Sequence, residues 1–144
     1  TDIQAALGNS QLKKLKLFIN YRRKIAKEYN KLLKVNKLIS TPYEDRNVRH
    51  AYHLYTILID FKKLKVDRNF VMKELRKKGI GSQVLYIPLH YQPFYKNKKI
   101  KKIVSLQNSE NYYRQCLSIP IFFGLKRSQI KYIVEQLNKI VSIK

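Results

Sequence analysis

The sequence predicts an α+β fold: a small sheet of three to four short strands, covered by helices on one face and preceded by a long helix. Three observations carry this. Apolar residues recur at intervals of three and four from Ile3 to Leu33 and again over the last fifteen residues, as on one face of a helix. Three short runs rich in β-branched and aromatic residues lie between. Gly and Pro punctuate the ends of those runs. The element order is helix, strand, helix, strand, helix, strand, helix, which suits a small layered domain. Chain order alone allows parallel or antiparallel pairing.

The long helix is expected over residues 1–35 as an interdomain element, with the small α/β domain over 36–144. Thr1 and Gln4 have the spacing of a capping box. Ile3, Leu7, Leu12, Leu15, Ile19, Ala26, Tyr29 and Leu33 make one apolar face. Gly8 costs about 1 kcal/mol relative to Ala and marks a bend or a close contact. Such a helix is long for a domain of this size, so one end is expected to reach beyond it. A plain amphipathic core helix is the simpler alternative.

Val35 to Arg49 lacks periodicity and reads as a loop, with a short extended piece at Lys37–Ser40. The first clear strand runs from Tyr52 to Ile59, and Asp60 to Lys65 is polar and turn-like. Asp67 is an N-cap, with Val66 and Val71 placed as a hydrophobic staple. Phe70, Val71 and Leu75 are expected to form the buried stripe of that helix. Lys77 and Lys78 suit its C-terminal dipole, and Gly79 stops it.

A second strand is expected at Ser82–Ile87. Pro88 and Pro93 then bar a simple continuation, and His90, Tyr91, Gln92, Phe94 and Tyr95 fill the loop. A strand that empties into a proline-fixed aromatic loop can hold side chains at the mouth of a pocket. From spacing alone, a cover over the core edge is the plainer reading. Lys96–Lys102 is a basic run that reads as a solvated loop. Asn108 or Ser109 caps a short helix to about Cys116, and Leu117–Phe122 is a strand that Pro120 confines to an edge or an early end. Gly124 turns the chain. Ile130, Ile133, Val134, Leu137, Ile140 and Val141 give the last helix its periodicity, with Lys126 and Arg127 unfavourably placed at its start.

Composition bounds the function classes. The 144 residues fit one domain, with 44% hydrophobic content. The net charge of +22 invites a small basic binding module for nucleic acid or an acidic partner. Against that, the excess is 23 lysines to 8 arginines, spread along the whole chain among many Ile and Asn, whereas bidentate phosphate and base recognition favours Arg. Nucleic acid is therefore not the expected partner. Cys116 stands alone, so no internal disulfide forms and a reducing, cytoplasmic setting is expected. It reads as a small buried apolar residue. No apolar run reaches membrane-spanning length, and no leader is visible. The chain opens without Met, as a fragment would. His50 and His53 have no Cys or carboxylate cluster beside them, so no metal site is assigned. Gly79 and Gly81 precede a strand, whereas a phosphate loop needs a following helix.

Four stretches carry a family resemblance: TDIQAALGNSQLKKL at Thr1–Leu15, YHLY at Tyr52–Tyr55, GIGSQVLYIPLHYQPFY at Gly79–Tyr95, and CLSIPIFFGL at Cys116–Leu125. Together they resemble the pyridoxal-phosphate-dependent nucleotide-sugar aminotransferases of the DegT/DnrJ/EryC1/StrS family. They are most similar to those making the 4-amino-sugar precursor of pseudaminic acid. The resemblance implies the C-terminal small domain of a fold-type I aminotransferase, with a mainly antiparallel sheet. It implies that the cofactor, pyridoxal phosphate, is held mainly by an N-terminal domain that carries the Schiff-base lysine. No lysine here has a recognisable cofactor-lysine context, so no catalytic or cofactor-binding residue is assigned. The partners implied are that N-terminal domain, a second subunit and a nucleotide-sugar substrate. Tyr86, His90 and Gln92 are the implied substrate-binding residues, able to donate to or accept from a sugar or a phosphate.

Overall fold

The computed structural model describes residues 1–96 and 106–142. Helix α1 (Asp2–Leu12) is followed by α2 (Leu15–Leu33), β1 (Ile39–Ser40), β2 (Tyr55–Ile59), α3 (Phe61–Leu64), α4 (Arg68–Lys77), α5 (Pro93–Lys96), α6 (Gln107–Gln115), β3 (Cys116–Ile119) and α7 (Arg127–Ile140). The sheet has the order β1-β2-β3, and both pairings are antiparallel. Ile39 stands opposite Ile59, and Tyr55 and Ile57 stand opposite Ile119 and Leu117. The fold class is therefore the expected α+β, with the antiparallel pairing implied by the family resemblance.

Alternation along β2 sends Tyr55, Ile57 and Ile59 to one face, and all three are fully buried. On that face they form one core with Ala26, Tyr29 and Leu33 of α2, Val71 and Leu75 of α4, and Ile133, Val134 and Leu137 of α7. Each fully buried Leu, Ile or Val contributes roughly 1.5–3 kcal/mol. Tyr29 and Tyr55 stack at 4.9 Å in this core. Their hydroxyls need partners because a buried unpaired donor is costly. Tyr29 Oη donates to Pro120 O at 2.8 Å, and Tyr55 Oη donates to Asn30 Oδ1. Burial pushes both phenols far above their ordinary value, so both stay neutral.

Several expectations need correction. The long N-terminal helix is two helices, broken at Lys13–Lys14 and not at Gly8. Both break residues keep right-handed helical angles, and Lys14 N donates to Gln11 O at 2.9 Å, a tightening that no Gly or Pro marks. The expected strand at Ser82–Ile87 is a single bridge in which Gln83 and Ser118 exchange both backbone hydrogen bonds. A fourth strand is thus reduced to one residue pair. Tyr52–Leu54 precede β2 instead of joining it, because Tyr52 takes a positive φ of 48°. Asp60–Lys65 is no plain turn: Asp60 caps α3 by accepting from Lys63 N at 3.1 Å. The helix before β3 starts at Gln107 with no side-chain cap. β3 stops at Ile119, the early end that Pro120 predicts, whereas Phe70 is exposed, so the buried stripe of α4 is Val71 and Leu75 alone.

Other details match. Asp67 Oδ1 accepts from Phe70 N at 2.7 Å, and Gly79 ends α4 with a φ of +73°. Gly124 turns the chain at a φ of +96°. The awkward cationic start of α7 is offset by Gln129, whose side chain accepts from Lys126 N at 2.9 Å. Arg127 pairs with Glu28 of α2 at 2.9 Å. Apart from Lys96, the basic run Lys96–Lys102 lies outside the described residues.

Candidate functional site

The Gly79–Tyr95 stretch is held at its two ends and presented in the middle. Gly79 turns the chain off α4, and Ile80 N donates to Leu75 O at 3.0 Å while its side chain is buried. The Gln83–Ser118 bridge ties the next residues to the outer edge of β3. The Leu85–Tyr86 peptide is cis. Pro88 then fixes an extended backbone, and Leu89–Tyr91 make one 3-10 turn in which Tyr91 N donates to Pro88 O at 2.9 Å. Pro93 opens α5, where its missing N–H is no loss. The turn throws large side chains outward: Tyr86 is 77% exposed, Leu89 70% and Phe94 62%. A cluster of exposed aromatic and aliphatic groups on one loop suits a partner or ligand surface better than a core cover.

α6 supports this loop from behind. His90 Nε2 lies 3.2 Å from Glu110 Oε1, and Arg114 donates to Glu110 Oε2 at 3.2 Å. The ring of Tyr91 meets that of Tyr113 edge-on at 6.2 Å. Arg68 of α4 lies 4.8 Å over the Tyr113 ring and donates to the carbonyls of Tyr113 and Cys116. α4, α6 and the start of β3 are thereby fixed to one another beneath the loop.

Of the three expected site residues, Tyr86 stands exposed, while His90 and Gln92 are half-buried. All three lie on the one presented segment, and no side-chain hydrogen bond joins them among the described residues. His90 is engaged with Glu110, a residue that sequence reasoning missed. A signal was present: Glu110 is the sole acid between Glu74 and Glu135 in a chain of 31 basic residues.

Away from this loop, a concavity of about 290 Å³ is lined by Arg23, Lys24, Lys27, Asn30, Glu44 and Tyr52. Glu44 is its hub. Arg23 donates to one carboxylate oxygen, His50 N donates to the same oxygen at 2.9 Å, and Tyr52 Oη donates to the other at 3.2 Å. Arg23 and these partners hold the Glu44 carboxyl below its ordinary range. The loop before β2 is thus strapped across α2. The other histidines serve this strap: His50 Nδ1 accepts from Tyr52 N at 2.9 Å, and His53 Nδ1 sits 3.2 Å from Arg22. No group of three metal-ligating side chains occurs among the described residues. Cys116 is buried, and that burial pushes its thiol up.

The sequence profile of the DegT/DnrJ/EryC1/StrS aminotransferase family matches residues 1–138. The chain belongs to this family. It is 38% identical over 142 residues to the uncharacterized protein MJ1066 of Methanocaldococcus jannaschii, covering 99% of this chain and 37% of that one. It is 33% identical over 141 residues to the UDP-4-amino-4,6-dideoxy-N-acetyl-beta-L-altrosamine transaminase of Campylobacter jejuni serotype O:2, covering 98% and 37% respectively. Among solved structures, it superposes on Helicobacter pylori PseC, an aminotransferase involved in the biosynthesis of pseudoaminic acid, with a TM-score of 0.85 at 27% identity. That match covers 96% of this chain and 37% of PseC. The chain thus spans little more than a third of the length of the relatives it matches.

The aminotransferase family and the PLP form of a similar Streptococcus pneumoniae structure imply pyridoxal phosphate in the parent protein. A lysine that holds this cofactor needs a sheltered amine beside a phosphate cup. Every lysine whose side chain is described here is exposed. The described residues therefore do not by themselves make a cofactor-lysine pocket.

Proposed function

We propose that this chain is the C-terminal lobe of a pyridoxal-phosphate-dependent aminotransferase. In this reading the whole enzyme moves an amino group from an amino acid, glutamate being the proposed donor, onto a keto-sugar nucleotide for surface-polysaccharide sugars. Residues 1–35 are the connecting helices and 36–144 the small domain. The N-terminal domain supplies the lysine and most cofactor contacts. The enzyme is a cytoplasmic homodimer, and the isolated lobe is inactive. Tyr86, His90 and Gln92 form part of the wall of the sugar-nucleotide pocket.

The match of the aminotransferase profile over residues 1–138, at just over a third of the relatives' length, carries this reading. The named substrate of the Campylobacter relative and the named pathway of PseC support the keto-sugar nucleotide. The exposed, half-aromatic loop above α6 supports the assignment of the pocket wall. Transamination draws on the cofactor as an electron sink, and this lobe orients the other reactant. Tyr86 and Gln92 offer a hydroxyl and an amide to sugar oxygens, and the loop's apolar surface excludes water.

The test is a cofactor titration of the 144-residue chain, followed by an assay with glutamate and a keto-sugar nucleotide. Exposed lysines will react weakly and without saturation. The expected result is no saturable one-to-one binding and no amino-sugar product. Turnover by this chain alone would overturn the reading of it as a dependent lobe.

A further inference from the structure

Of nine acidic residues, Glu110 alone is buried, at 7% exposure. Burying a carboxylate is costly unless it is paired, so its placement needs a reason. Arg114, on the same helix, could pair with it equally well at the surface. The second partner is different in kind. His90 arrives from a loop twenty positions earlier in sequence, with its Nε2 at 3.2 Å from Oε1 while Arg114 takes Oε2. The ring also meets Tyr91 edge-on at 4.4 Å, and Tyr91 meets Tyr113 of α6. The imidazole is therefore fixed in position by α6 and in rotation by its neighbour.

The chemistry of the pair sets the proton's place. An ionised carboxylate only accepts, so the imidazole nitrogen facing it must donate. In a neutral His90 that leaves Nδ1 with the lone pair. We propose that Glu110 is a positioning residue for substrate recognition: it holds His90 as the Nε2–H tautomer and presents Nδ1 as an acceptor to a hydroxyl of the sugar nucleotide. This rests on the reading of His90 as a substrate contact. A carboxylate behind an imidazole performs the same orienting task in other sites, where its loss weakens function without touching the reacting atoms.

Two measurements separate the parts. Proton–nitrogen NMR of the 144-residue chain should show one downfield, slowly exchanging imidazole proton bonded to Nε2, assigned to His90 by its loss in His90→Gln. It should disappear in Glu110→Gln, whose amide can present either a donor or an acceptor, and persist in Arg114→Ala. A proton on Nδ1, or one unmoved by Glu110→Gln, overturns the proposal. In the intact aminotransferase, Glu110→Gln should raise KM for the keto-sugar nucleotide about tenfold, the upper end of what one neutral hydrogen bond is worth, with kcat changed less than about threefold. That rise should vanish in a His90→Gln background. Additive effects overturn the coupling, whereas an unaltered KM in His90→Gln alone overturns the substrate-contact reading while the NMR result still decides the tautomer.

Discussion

Glu44 shows how one side chain organises a loop. It gathers the Arg23 guanidinium, the His50 N–H and the Tyr52 hydroxyl, and these hold its carboxyl below the ordinary value of 4.5. The folded state therefore binds the proton less readily than the unfolded chain. By linkage, this contribution to stability is fully present above pH 4.5 and is lost as pH falls through the lower folded value. General acid destabilisation of so basic a chain would mask it, so the useful quantity is a difference. The Tm gap between wild type and Glu44→Gln should be widest near pH 7 and close as the pH falls below 4.5. A gap that stays constant down to pH 3 would show that the carboxylate's charge does not matter. Little of this was legible in the sequence. Arg23 lies 21 positions from Glu44 on another element, and the positive φ of Tyr52 has no local signature in a non-Gly residue. The His90–Glu110 pair shares that difficulty: the loop was readable from its prolines and aromatics, but its anchor lies on another element.

At the scale of elements, helices were more legible than strands. α4 and α7 announce themselves through caps and a repeated apolar stripe, since both signals are local. β3 and β2 were found from β-branched runs, but the run at Ser82–Ile87 satisfied the same pattern and failed. Strand pairing depends on a neighbour. Only Gln83 finds one at Ser118 before the chain leaves the sheet edge. The two glycines just before that bridge separate conformation from crowding. Gly79 has a φ of +73°, Gly81 is not in the left-handed region, and an added Cβ meets nothing within 4 Å at either. Gly79→Ala should therefore cost about 1 kcal/mol from backbone strain alone. Gly81→Ala should be neutral or stabilise by up to about 0.5 kcal/mol, by restricting the unfolded chain. Urea denaturation midpoints give both values, and equal losses at the two sites would contradict the assignment of Gly79 as the obligatory turn.

For the whole molecule, α1 is the element that the core does not explain. None of its residues is buried, and Ile3, Leu7 and Leu12 are 83%, 62% and 64% exposed. A helix of 11 residues is marginal in isolation even with the Thr1–Gln4 capping box it carries. The apolar positions that predicted a continuous helical face are correct in spacing, yet of them only Ala26, Tyr29 and Leu33 reach the core. In the proposed enzyme the exposed stretch lies against the N-terminal domain, where each such side chain is worth roughly 1.5–3 kcal/mol when fully buried. The consequence separates lobe from enzyme. Replacing Ile3, Leu7 and Leu12 together by Ser should leave the unfolding free energy of the 144-residue chain within about 0.5 kcal/mol of wild type, as surface changes do. Leu137→Ala, in the fully buried seam of α7, should cost about 2–5 kcal/mol. In the intact protein the triple Ser variant should instead lower the unfolding midpoint by an amount comparable to the core substitution. A triple variant that destabilises the isolated chain as much as Leu137→Ala would mean that α1 folds onto this domain. One that is silent in the intact protein would mean that the apolar face of α1 meets nothing there.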